Sequence, residues 1–201
     1  FLEVNYNEFE DYKEKIKKYI ICNPIDILVN NTQGPKAGDV ESVSLDDYQK
    51  SFDLLFKSVV FTTNLCLYHM KKNKWGRIIN MSSVSVKEPL NYLALSNTIR
   101  SALTSWSKTL ANQIGIYNIT VNNILTGYFD TERISDLNSE KAKKMNIKID
   151  DVYQAMEDLV PLKRIGKPQE FAYLATFLAS ELSAYINGAN IPIDGGLLKS
   201  L

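Results

Sequence analysis

Apolar positions along the chain follow two alternating rhythms. Ile25–Val29 is a continuous apolar run between Asn-Pro and Asn-Asn, as a parallel strand buried on both faces requires. Arg77–Met81, Thr120–Leu125 and Ala189–Ile193 read as strands of the same kind. Helical patterns lie between them. Asn7, with Glu10 three residues on, marks the start of a helix reaching about Tyr19. Ser44 and Asp47 have capping-box spacing and predict a long helix to about Met70. A third helix is expected from about Asn91 to Gly115. The polar stretch Thr131–Leu159 predicts two helical pieces, interrupted near Asn146–Ile149. Pro168 suits the first turn of a last helix, whose Phe171, Leu174, Ala175 and Leu178 recur at helical spacing. Alternating strands and helices imply an α/β fold with a doubly wound, mostly parallel sheet and right-handed crossovers. There is no internal repeat, low-complexity tract or interdomain linker.

At 201 residues the chain suits one full core and is short for two. Its 23 basic and 23 acidic residues cancel, so no global field draws it to nucleic acid or an anionic membrane. The basic runs KEKIKKY and Lys71–Lys74 read as solvated helix faces and ends. Cys22 and Cys66 stand far apart in apolar surroundings, which suggests buried free thiols in a reducing cytoplasm. A lone histidine, His69, and the lack of Cys-x-x-Cys argue against a metal site. No apolar run reaches membrane-spanning length.

The stretch Gly76–Ala111, GRIINMSSVSVKEPLNYLALSNTIRSALTSWSKTLA, resembles the active-site core of the short-chain dehydrogenase/reductase family. In that family a serine at a strand's end precedes Tyr-x-x-x-Lys. Three further segments resemble the family in the right order: IDILVNNTQG at Ile25–Gly34, ITVNNILTGYFDTER at Ile119–Arg133, and PLKRIGKPQE at Pro161–Glu170 followed by NGANIPIDGG. Within the family the chain looks most like 3-oxoacyl-(acyl-carrier-protein) reductases, in a divergent branch with Leu-Ser-Asn-x-x-Arg where Tyr-x-x-x-Lys is expected. The resemblance implies a single Rossmann-like domain over 1–201 and NAD or NADP as cofactor. It also implies a carbonyl or secondary-alcohol substrate and a homodimer or homotetramer. No nucleic acid, membrane or metal is expected.

Carried over residue by residue, the resemblance puts the catalytic serine at Ser83, which could equally be a hydroxyl satisfying the strand's end. The lysine position falls on Asn97, the tyrosine position on Leu93 and a helix asparagine on Leu55. Tyr92 is the only phenol near the expected place, one residue early, so it needs a local shift to act and otherwise serves packing. Asn97 can hold a ribose but carries no charge with which to lower a phenol's pKa. Arg100, three residues on, either supplies that charge or pairs with an acid at a subunit contact. The cofactor contacts fall on Asn30, Asn31, Gly34 (Gln33 replacing the expected glycine), Gly127, Phe129 and Thr131. For Asn30 and Asn31, strand-to-strand bracing is an equal alternative. Tyr128, Ile134, Leu137, Met145 and Met156 could line a substrate cover.

The family's opening strand and glycine-rich turn, which hold a pyrophosphate, are not in the sequence. Phe1–Tyr6 resembles the family's third strand, and Phe1 is not an initiator, so the chain is expected to be an N-terminally incomplete piece. Two functions are open. One is an NAD(P)-dependent oxidoreductase with atypical catalytic residues. The other is a catalytically degenerate relative serving as a binding or assembly subunit. Self-association is expected through Leu55, Val59, Thr62 and Cys66 on one helix and Ile99, Leu103 and Trp106 on the next.

Overall fold

The computed structural model describes residues 1–6 and 8–200. In chain order it contains α1 (Phe9–Cys22), β1 (Ile27–Asn30), α2 (Leu45–Phe52), α3 (Ser58–Asn73), β2 (Gly76–Ser83), α4 (Ala94–Ile114), β3 (Ile119–Thr126), α5 (Glu132–Met145), α6 (Ile149–Leu159), α7 (Pro168–Ala179) and β4 (Asn190–Ile193). The strands form one fully parallel sheet in the order β1-β2-β3-β4. Their carboxyl ends therefore all lie along one edge, where open α/β sheets bind ligands.

Side chains alternate faces along β2, and each face has its own helices. Ile78 packs with Met70 of α3 and Leu110 and Ile114 of α4, while Ile79 packs with Leu178 of α7. The connections through α3 and α4 thus cross one face and the connection through α7 crosses the other. Because the strand order advances steadily, the last crossover has the opposite hand to the two before it, so right-handed crossovers throughout do not hold. The long 127–167 connection, which carries α5 and α6, relaxes the short-crossover geometry behind that rule.

Local signals account for most boundaries. Ser44 and Asp47 form the full capping box that opens α2. The long helix then runs through a π turn at Asp53–Lys57, with Leu55 buried inside it, before continuing as α3. Lys74 and Asn146 take the left-handed conformation that closes α3 and α5. Pro168 sits at the start of α7. The cap expected at Asn7 lies outside the described residues.

Three expectations change. Phe1–Tyr6 forms no strand. β1 is not buried on both faces, since Ile27 and Val29 are 45% and 44% exposed. Cys22 is exposed, while Cys66 is buried and its thiol is pushed up to about 11 by burial. The stripe chosen for self-association is also used differently. Leu55, Val59, Thr62, Cys66, Ile99 and Leu103 are buried inside the chain, Cys66 against Ile78 and Leu110. Thr62 meets the Tyr12 hydroxyl of α1.

A row of four asparagines crosses the whole sheet at one register. Asn30 stands beside Asn80, Asn80 beside Asn123, and Asn123 beside Asn190. Each side-chain amide donates to the next carbonyl, at 2.7, 3.2 and 2.7 Å. Asn80 also donates to Ser107 of α4, and Asn30 to Thr63 of α3. Buried polar groups require such pairing, and the row supplies it without a charge.

Candidate active site

β2 extends beyond β1. Their pairing ends at Asn30–Asn80, whereas β2 continues to Ser83 beside Thr126 of β3. A cleft therefore opens between β1 and β2 at the carboxyl edge. Ser83 is half-buried at its rim, and its Oγ accepts from the Ser85 N–H at 3.1 Å to cap a short 3₁₀ turn. That bond uses a lone pair and leaves the hydroxyl proton free to donate. Ser82 faces the other way, and its Oγ is buried without a partner, as is that of Ser85.

Helix α4 brings the next groups. Its sheet-facing stripe runs through Ser96, Arg100, Leu103, Ser107, Leu110 and Ile114, all buried. Leu93 is the cap residue before the helix and bridges to Gly38. Asn97 turns its Nδ2 to the Leu90 carbonyl at 2.8 Å, and its Oδ1 is buried with no donor. Tyr92 is half-exposed outside the helix. Burial, and after it the neighbouring Tyr128, push its phenol up to about 12. A phenol held there is a poor proton donor, consistent with Asn97 carrying no charge to lower it.

Arg100 is 8% exposed and donates to the Met81 carbonyl at 2.6 Å. Among the described residues no acid pairs with it, and the acid expected across a subunit contact belongs to a surface outside this single chain. Burial lowers its pKa to about 10. Sequence reasoning noted Arg100 and passed over the Ser96 hydroxyl. The available signal was their four-residue step, the same step that separates tyrosine from lysine in Tyr-x-x-x-Lys.

The residues expected at the cofactor divide. The Asn30 side chain belongs to the cross-sheet row, which fits bracing, and Asn31 is exposed at the cleft. A Cβ on Gly34 would meet only Arg133 Nε at 3.8 Å, so packing does not demand glycine there. Gly127 is required, because a Cβ would lie 2.8 Å from Asp194 Cα. Phe129 is buried edge-on against Phe171 and bridges Gly166 through its neighbours' backbone groups. That bridge turns the Phe129 N–H away from Gly166. Thr131 caps α5, accepting from the Ile134 N–H at 3.4 Å.

Across the edge, Arg133 of α5 donates to the Pro35 carbonyl at 2.6 Å and ties the 127–167 connection to the loop after β1. The proposed substrate lining is not one surface: Met145 is exposed and Met156 is buried. A separate cavity of 150 Å³ opens at the ends of β3 and β4, walled by Tyr128, Phe129, Arg164, Glu170, Asp194 and Gly195. There Arg164 forks onto Glu170 at 2.8 and 2.6 Å and holds its carboxyl down at about 2. Among the described residues no cluster of His, Cys, Asp and Glu could hold a metal, and no helix is long and apolar enough to cross a membrane.

A parallel sheet between helix layers, with hydroxyls and amides gathered at its carboxyl edge, places the chain among Rossmann-like α/β proteins. The family model described as enoyl-(acyl carrier protein) reductase matches residues 5–198. The NADPH-dependent reductase BacG of Bacillus subtilis (strain 168) is 32% identical over 180 residues, covering 90% of this chain and 70% of the relative. The 3-oxoacyl-(acyl-carrier-protein) reductase FabG of Chlamydia pneumoniae is 31% identical over 202 residues, covering 98% and 75%. Among solved structures, L-sorbose reductase of Gluconobacter frateurii with NADPH and L-sorbose gives a TM-score of 0.92 at 28% identity, covering 100% of this chain and 77% of that one. The chain belongs to the short-chain dehydrogenase/reductase family.

Proposed function

We propose that this chain carries the reactive edge of an NADPH-dependent reductase acting on a carbonyl compound of the 3-oxoacyl or polyol-ketone kind. The observation that carries the reading is Ser83, a half-buried hydroxyl with a free proton at the end of a central parallel strand, beside the cleft between β1 and β2. The relatives' named activities support the hydride chemistry and the choice of NADPH.

The residues present fit the nicotinamide end of such a cofactor. Asn97 Oδ1 is a buried acceptor without a donor at this edge, and the Phe129 N–H is turned away from Gly166. Asn31, the backbone around Gly34 and Gly127, and the segment up to Thr131 frame the same opening. The glycine-rich turn that would hold a pyrophosphate is not part of this sequence. When bound, the nicotinamide supplies a hydride. Ser83 donates a hydrogen bond to the substrate oxygen and orients the carbonyl. Asn97 accepts from the ligand through Oδ1 while Leu90 fixes its amide. Tyr92 and Tyr128 stand near each other at the mouth, where Tyr92 is half-exposed. The proton reaches the product oxygen from solvent, directly or relayed through the Ser83 hydroxyl as it takes a proton back from water, rather than from Tyr92.

Calorimetric titration of the complete protein with NADPH, followed by a carbonyl screen, tests this reading. Saturable NADPH binding with turnover of at least one ketone is the expected result. Failure to bind NADPH would leave the degenerate binding or assembly subunit as the better account.

A further inference from the structure

The odd-numbered backbone groups of β2 point toward β1, since the Arg77 N–H donates to the Asp26 carbonyl. Alternation turns the Met81 carbonyl to that side too, one step past Asn80, where β1 has ended. The Arg100 guanidinium takes that carbonyl, which fixes its position in the cleft between the two strands. Arginine has five donor hydrogens in a planar fork. Here a single acceptor meets them, and among the described residues no carboxylate balances the charge.

A buried, uncompensated cation is costly, and buried charges in proteins are ordinarily paired. The chain does pair its other buried arginine, Arg77, with carbonyls and a carboxylate. A second feature points the same way. Ser101, Ser107 and Thr109 of α4 each return their hydroxyl to a carbonyl one turn back. Ser96 is buried on the sheet-facing stripe, one turn before Arg100, and its hydroxyl has no partner among the described residues.

We propose that Ser96 and Arg100 form a ligand-holding pair in the β1–β2 cleft: the guanidinium, steadied by Met81, takes two adjacent oxygens of the bound molecule, and the Ser96 hydroxyl a third contact. The inference rests on the reading of this edge as the site. The shared chemistry is a pair of oxygens that a planar fork can bridge, such as a carboxylate, a phosphate or a sugar diol. Those oxygens belong either to the cofactor's sugar-phosphate or to a carboxylate on the substrate.

The test uses the complete protein, with Arg100→Met, Arg100→Lys and Ser96→Ala. Each is melted without ligand, then titrated with NADPH, and with acetoacetate against its methyl ester. Arg100→Met is expected to hold or raise the melting temperature, because it removes an unpaired buried charge. It is also expected to weaken the ligand by ~10- to 100-fold, the worth of a charged hydrogen bond. Arg100→Lys, which keeps the charge and loses the fork, should fall between. Ser96→Ala should weaken the same ligand by about threefold to tenfold at unchanged stability. Loss on NADPH assigns the oxygens to the cofactor, and loss confined to acetoacetate relative to its ester assigns them to the substrate. A lower melting temperature in Arg100→Met with both affinities within twofold overturns the proposal and makes Arg100 a clamp on Met81. If the unmodified protein binds neither NADPH nor acetoacetate, the oxidoreductase reading fails by itself. Millimolar inorganic phosphate then decides for Arg100: it must stabilise the unmodified protein and not Arg100→Met.

Discussion

Strand β2 has a buried arginine near each of its ends, and the two are treated in opposite ways. Arg77, at the amino end, is fully buried. It donates to the Gly76, Asn118 and Ser180 carbonyls at 2.9, 3.3 and 3.3 Å and to Glu181 at 3.3 Å, and it lies over the Trp75 ring. Arg100, at the carboxyl end, has Met81 alone. The same contrast runs along the two edges of the sheet. The amino edge uses its polar groups to close itself, with the Thr120 hydroxyl left as its buried unpaired atom. The carboxyl edge leaves Ser82, Ser85 and Asn97 with buried atoms unpaired. Tolerating those atoms is costly, so an edge that collects them is organised around something other than its own stability.

The largest effect expected from this contrast is at Arg77. Arg77→Met removes the donor that joins three backbone carbonyls and should cost ~2–4 kcal/mol, read from urea midpoints at constant m. A loss under about 1 kcal/mol would mean that the number of partners does not distinguish the two arginines. At the carboxyl edge the ranking should invert. Ser83→Ala should lower kcat for the reduced ketone by ~10²–10³-fold, as loss of one oxyanion donor does. Its folding cost should be no more than about 1 kcal/mol, from the lost cap on Ser85. An activity loss matched by an equal loss of stability would make Ser83 a scaffold residue.

The interior between α1, α3 and the sheet should respond to alkali. Burial raises the Cys66 thiol from 9.0 to about 11 and the Tyr12 phenol from 10.0 to about 12. Both groups are neutral when protonated, and the unfolded chain loses their protons first. Stability is therefore full below pH 9 and falls as pH rises through about 11 and 12. Cys66→Ser should remove the early part of that fall in a pH series of thermal melts. The smallest effect should be Tyr92→Phe. With its phenol held at about 12, Tyr92 should give no rate loss approaching the ~10²–10⁴-fold of a general acid. A hundredfold drop with NADPH affinity intact would restore Tyr92 as the proton donor.

The helices and central strands were legible because their signals are local: Ser44 with Asp47, Pro168, and apolar runs of strand length. The exposure of β1 was not legible. Ile27 and Val29 are as apolar as Ile78 and Ile79, and composition does not say whether another strand lies alongside. The position of Ser83 followed from the strand it ends. The role of Arg100 did not, because a sequence shows a cation without showing whether an acid is near it. Its face on α4 was readable, since 96, 100, 103, 107, 110 and 114 step along one side of a helix. Gly127 was placed at the nicotinamide, but the structure gives a prior reason for glycine in the crowding by Asp194.

The asparagine row has a further consequence for how the sheet assembles. Its amides all donate in one sense, from β1 toward β4. Reversing one of them would set oxygen against oxygen on one side and nitrogen against nitrogen on the other, so the four orientations switch together or not at all. If β2 or β4 pairs one residue out of step, it also puts an apolar side chain where its neighbours present an amide. The row therefore acts as a proofreading line through the folding sheet. Hydrophobic contact accepts many alignments of similar strands, and this line accepts fewer.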